Sequence, residues 1–242
     1  MAMEPIGASK NASLLAGDLN RLDRETEMLL ATVSSLSEDE LRAPSRCDGW
    51  TRAHVIAHLI GNAGGLANLI QWARTGEEVP MYFSRESRDA DIAERSGWGR
   101  QQLAAELRAA SDQFRAAAVG LREGVSTEVV TARFGGLSAW AIPALRISEV
   151  LVHHYDLDTV WGLDEADLDA QEDALELLVG MSSAQDWGEG VRLVTDEGEE
   201  HVLGEGAVTL RGERAALLAW LARGSTDGVR AEGDLPPSRG LG

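Results

Sequence analysis

An α+β protein is predicted, with an α-helical bundle over residues 1–165 and a small α/β domain over 166–242. Three observations carry this. Apolar residues recur at three- and four-residue intervals through most of the first 160 positions, the period of amphipathic helices. After Gly162 short alternating runs, Val191–Thr195 and Ala207–Leu210, appear between helical stretches. A length of 242 residues suits a main domain with a smaller one.

The first helix is expected over Ser9–Leu36, with Leu14, Leu15, Leu19, Leu22, Leu29, Leu30 and Val33 on one face. Ser37 followed by Glu40 reads as a capping box for a short helical turn, and Pro44–Gly49 as a loop. The next helix starts near Thr51, carries His54 and His58, and ends at Thr75-Gly76. Glu77–Gly99 has Pro80, mixed charge and little periodicity. It reads as a long connection able to fold over a site, packed through Met81, Tyr82 and Phe83. A helix follows from Gly99 to Leu121, and then a short β-like run over Val125–Gly136 that turns at Gly135-Gly136. Leu145–Trp161 reads as a largely buried helix, with Pro143 in its first turn. Beyond it, Leu168–Met181 is helical and stops near Gly180. The Asp196–Glu200 segment suits a turn between the two strands, Glu213–Ala222 is an amphipathic helix, and DLPPSRGLG reads as an irregular tail.

Composition narrows the function. A formal net charge of −18 disfavours sequence-independent binding to nucleic acid or to an anionic membrane. The N-terminus lacks the basic-then-apolar pattern of a signal peptide, and no uninterrupted apolar run approaches membrane-spanning length. A cytoplasmic monomer is expected. The single cysteine, Cys47, excludes an intrachain disulfide and a four-cysteine zinc motif. It reads as a small buried or loop residue, with a metal-ligand or reactive-thiol role as the sharper alternative.

Chemistry concentrates in two helical stretches. In LRISEVLVHHYDLDTVW, Glu149 and His153 are four apart and project from one helix face. A carboxylate and an imidazole so placed can reach one divalent ion, with zinc distances of roughly 2.0–2.2 Å. Alone, the pair reads equally as a hydrogen bond on a half-exposed face. In DGWTRAHVIAHLI, His54 and His58 are again four apart, and either one could be a third ligand; the spacing does not choose between them. His154 points about 100° away from His153 around the helix and reads as a packing residue. His201 reads as a surface residue. Asp156 and Asp158 could each orient a ligand histidine, with capping or surface roles as the plainer reading. An anionic substrate would need arginines. Arg88 lies in the long connection, Arg223 ends the last helix where it would complement the dipole, and Arg85 reads as a solvated charge.

The run DGWTRAHVIAHLIGNAGGLANLIQWARTGEEVPMYFSRESRDADI, together with SEVLVHHYDL and LARGSTDGV, resembles the mycothiol-dependent maleylpyruvate isomerases of the wider DinB-like metalloenzyme group. The resemblance spans nearly the whole chain, and WARTGEEVPMY is its most family-specific part. It implies a DinB-like four-helix bundle followed by a small α/β domain. It also implies Zn2+ held by His58, Glu149 and His153, with Arg223 and Arg88 serving catalysis and substrate handling. His154 departs from the small residue expected there. The implied reaction is the cis–trans isomerisation of maleylpyruvate to fumarylpyruvate, in which a zinc-bound mycothiol sulfur adds to the double bond, the bond rotates and the thiolate leaves. The expected partners are therefore a small anionic substrate and a low-molecular-weight thiol. The rivals are a mycothiol-dependent S-transferase on the same scaffold and a non-catalytic metal-binding protein.

Overall fold

The computed structural model describes residues 4–183, 185–233 and 238. Four long helices, α1 (Leu15–Ser35), α3 (Arg52–Thr75), α5 (Arg100–Val119) and α6 (Ile142–Asp156), close into a bundle. In it α1 and α3 each pack against both α5 and α6. Two short helices lie on its side: α2 (Glu38–Arg42) after α1, and α4 (Arg85–Ser96) against α3.

Most helix ends follow from local chemistry. α1 starts at Leu15 rather than at Ser9, because Asn11 Oδ1 accepts from the Ser13 amide at 3.0 Å and holds the preceding residues in turns. Ser37 and Glu40 form the expected reciprocal cap on α2. Thr51 caps α3, and Gly76, in the left-handed conformation at φ +77°, ends it. By length and composition α3 could cross a membrane, yet most of its apolar stretch is buried, as befits the core helix of the bundle.

The expectation of an irregular 77–99 connection is corrected: twelve of its residues form α4. Ser84 and Ser87 cap it reciprocally, and the Arg85–Asp89 and Asp91–Arg95 pairs run along it. Only Ile92 and Ser96 on it are buried, so it offers no periodic apolar stripe. Met81 packs against the core and Tyr82 lies over Gly65, whereas Phe83 is exposed. The α6 helix is also shorter than expected. It stops at Asp156, Asp158 takes φ +51°, and Val160 is fully exposed. The Arg52 guanidinium takes up the carbonyls of Leu157 and Asp158 just past the helix end.

Between α5 and α6, strands β1 (Val129–Ala132) and β2 (Gly135–Ser138) form a hairpin that turns at residues 133–134. Gly135 and Gly136 belong to its second strand rather than to the turn. After α6, α7 (Leu168–Ser182) runs through Gly180, where a side chain would crowd Ile6 at 3.2 Å; that glycine serves close packing and not termination. The sheet that follows has the order β4-β3-β5-β6. Strand β3 (Val191–Thr195) pairs parallel with β5 (Val208–Gly212) and antiparallel with β4 (Glu200–Leu203). Residues 196–200 therefore turn into β4, a strand absent from the sequence reading, whose side chains apart from Leu203 are partly or fully exposed. Helix α8 (Arg214–Arg223) packs on α7 and the sheet, and β6 (Arg230–Glu232) forms the far edge. The architecture is the expected α+β one. The predicted tail over 234–242 lies, Ser238 apart, outside the described residues.

Candidate metal centre

Thr51 decides between the two histidines of α3. Its hydroxyl lies 2.7 Å from His54 Nδ1 and its amide donates to the same nitrogen, so His54 closes the helix cap. One turn further on, His58 projects towards α6. Its Nε2 lies 3.2 Å from Glu149 Oε2, and His153 Nε2 approaches the same oxygen at 3.5 Å. The two rings meet edge-on at 4.5 Å, and one donor atom from each of the three residues lies within 4.8 Å of the others.

Two imidazoles and a carboxylate form the donor set of catalytic zinc sites, which keep a fourth position open. The surroundings fit that use. His153 Nδ1 faces Asp156 Oδ2 at 2.7 Å, which places its proton there and leaves Nε2 turned to Glu149. Burial pushes the His58 pKa down to about 4, with the His153 charge adding to the effect. Burial opposes ionisation of Glu149 and Asp156, yet their histidine and arginine partners hold both carboxyls well below the usual range. The charge of His153 is kept against burial by Asp156, Cys47 and Glu149. The His153 imidazolium thus neutralises the two carboxylates it lies between.

The two arginines stand on opposite flanks. Behind His153, Asp156 is completely buried and accepts a two-pronged bond from Arg223, Nε at 2.7 Å and Nη2 at 2.6 Å. Arg223 Nη1 donates to the Ala222 carbonyl, and Nη2 points to Cys47 Sγ at 3.7 Å. Arg223 thus does more than complement a helix dipole, and Asp156 is neither a surface nor a capping residue. Cys47 Sγ, 3.2 Å from Asp156 Oδ2, completes this layer. On the other flank, Arg88 Nη2 lies 3.4 Å from His58 Nδ1, and the guanidinium sits 6.0 Å from the Trp50 ring and 5.9 Å from the Tyr82 ring. Its one ionic partner among the described residues is the neighbouring Asp89 at 2.8 Å.

The remaining candidates lie apart. His154 faces α1, bonded to Thr32 Oγ1 at 2.8 Å and stacked on Trp161. Arg85 is solvated, Asp158 is exposed, and His201 is part-exposed on β4. Sequence reasoning missed Trp50, Tyr82 and Arg146. Arg146 is buried one turn before Glu149 and bonds the Leu59 carbonyl at 3.0 Å and Asn62 Oδ1 at 2.7 Å. A lone arginine in an apolar helix was the signal available for it.

Comparison with known proteins gives consistent findings. A family profile described as "Mycothiol maleylpyruvate isomerase N-terminal domain" matches residues 22–158. A crystal structure of the mycothiol-dependent maleylpyruvate isomerase superposes with a TM-score of 0.81 at 28% identity. That of a histidine-to-alanine mutant gives 0.80 at 27%. Each comparison covers 94% of this chain and 97% of the other. No curated protein matches.

Proposed function

Because the chain belongs to the mycothiol maleylpyruvate isomerase N-terminal domain family, we propose that it isomerises maleylpyruvate to fumarylpyruvate with mycothiol as a recycled thiol. The observation that carries this reading is the meeting of His58, Glu149 and His153 between two guanidiniums. Zinc held by those three residues would supply a lowered pKa to a bound thiol.

The residues divide the remaining work. Isomerisation requires the cis double bond to become single for a moment, so negative charge gathers on the conjugated carbonyl oxygen. A fixed positive charge close by lowers that barrier. Arg223, held rigid by Asp156 beside His153, supplies such a charge without spending energy on reorientation. Arg88 is suited to a substrate carboxylate. A His58 that binds metal through Nε2 keeps its proton on Nδ1 and no longer accepts from Arg88, which leaves that guanidinium for an anion. Asp156 holds His153 in the tautomer that turns Nε2 to the site. The same reading carries a monomeric, cytoplasmic enzyme.

The decisive experiment supplies mycothiol far below the maleylpyruvate concentration and follows both. Many turnovers with free thiol unchanged are expected. Consumption of one thiol per product, with a stable thioether accumulating, would replace the isomerase by an S-transferase.

A further inference from the structure

We propose that the Tyr82 hydroxyl is a substrate-contacting donor that forms, with Arg88, a subsite for one carboxylate of an anionic substrate. The proposal rests on the reading above only for the anionic character of that substrate.

Tyr82 Oη is buried, and its proton meets no acceptor among the described residues, since the neighbouring Arg88 can only donate to it. A buried hydroxyl proton without an acceptor is costly, so such a group in a native fold calls for an acceptor that arrives from outside. The hydroxyl lies on the flank where an acceptor is wanted. The Arg88 guanidinium is 5.9 Å from the Tyr82 ring and reaches to within 3.4 Å of His58, so the phenol and the guanidinium are neighbouring donors beside the metal residues. Burial and the Glu149 charge push the phenol pKa up to about 12, which keeps it a donor at neutral pH.

The chain also makes room for this phenol. Gly65 follows His58 by two turns of α3, on the same face. A Cβ at Gly65 would meet Met81 Cγ at 2.8 Å, the Met81 carbonyl at 2.9 Å and Tyr82 Cζ at 3.3 Å. The hydroxyl-bearing end of the ring therefore rests where a side chain on α3 would displace it. Asn68, almost one turn further, reaches the carbonyls of Pro80 and Met81 at 3.4 and 3.5 Å and ties the strap to the helix. A ring held from below, with its hydroxyl proton unpaired beside a guanidinium, has the form of a recognition group.

The test is equilibrium binding of maleate to the zinc-loaded protein by calorimetry, with Tyr82→Phe and Arg88→Ala variants and zinc content measured in parallel. Tyr82→Phe should keep its zinc and its melting temperature, bind maleate at least ten-fold more weakly, and raise KM for the substrate more than it lowers kcat. Unchanged maleate affinity in Tyr82→Phe would overturn the subsite, as would a wild-type protein that binds no maleate at millimolar concentration. Tyr82-dependent maleate binding by a protein inactive on maleylpyruvate would support the subsite and remove only the isomerase reading.

Discussion

The two flanks of the candidate metal centre are built on opposite principles. On the His153 side, Asp156 is buried and its acceptors are taken by His153, Arg223 and Cys47. On the His58 side, Arg88 pairs with exposed Asp89 and approaches His58 Nδ1, and among the described residues the Tyr82 hydroxyl proton has no acceptor. A saturated buried network fixes geometry, because every displacement breaks several charge-assisted bonds together. Donors left without acceptors fix little in the free protein and gain most when a ligand brings the acceptor. Two arginines alike in sequence thus differ in setting: Arg223 joins α8 to α6, and Arg88 reaches towards His58 from a helix with little burial of its own.

The largest effect that would break this comparison is on stability. Asp156→Ala and Arg223→Ala should each cost about 3–5 kcal/mol in urea unfolding, since each strands a buried charge. The double variant should cost less than the sum. Asp156→Ala should also weaken zinc binding about 10–100-fold in a chelator competition. Additive costs near zero would make the His153 flank an ordinary surface pair.

Acid titration of the metal-free protein sharpens the same point. The Asp156 carboxyl is depressed in the folded state, so its stabilisation is present above its unfolded pKa, near 3.9, and is lost as pH falls through the lower folded value. Because Asp156 also raises the His153 pKa, the advantage of wild type over Asp156→Asn in urea midpoint should grow as pH falls from 7 to about 5, and shrink below about 4.

Smaller still is the effect of Ser84→Ala, which removes the cap of α4 and should cost about 1 kcal/mol. It should show as faster amide exchange confined to α4, with weaker maleate binding as Arg88 loses its support. Arg88→Ala should have the smallest effect on stability, within about 0.5 kcal/mol, with zinc retained. Its turnover should nevertheless fall by about 100-fold. A strongly destabilised Arg88→Ala would erase the contrast between the flanks.

Much of this molecule was legible in its residues. Leucines at helical spacing outlined α1, and the Thr51 and Gly76 punctuation bounded α3. Glu149 and His153 share a face because they lie one turn apart on a single helix, which intrachain spacing can express. The alternating runs marked β3 and β5, whose partly buried faces impose a period of two. What depended on meetings between elements was not legible. Spacing made His54 and His58 equivalent; the family resemblance favoured His58, and in the fold the helix cap and the approach of α6 separate the two. Asp156 looked like any acidic residue near a helix end until Arg223, 67 positions away, closed over it. Helix α4 and strand β4 bury too few side chains for a period to appear. Sequence periodicity records which side of an element loses water. Which partner a polar group finds there is set by how the elements pack, and that decided the two unlike flanks of this site.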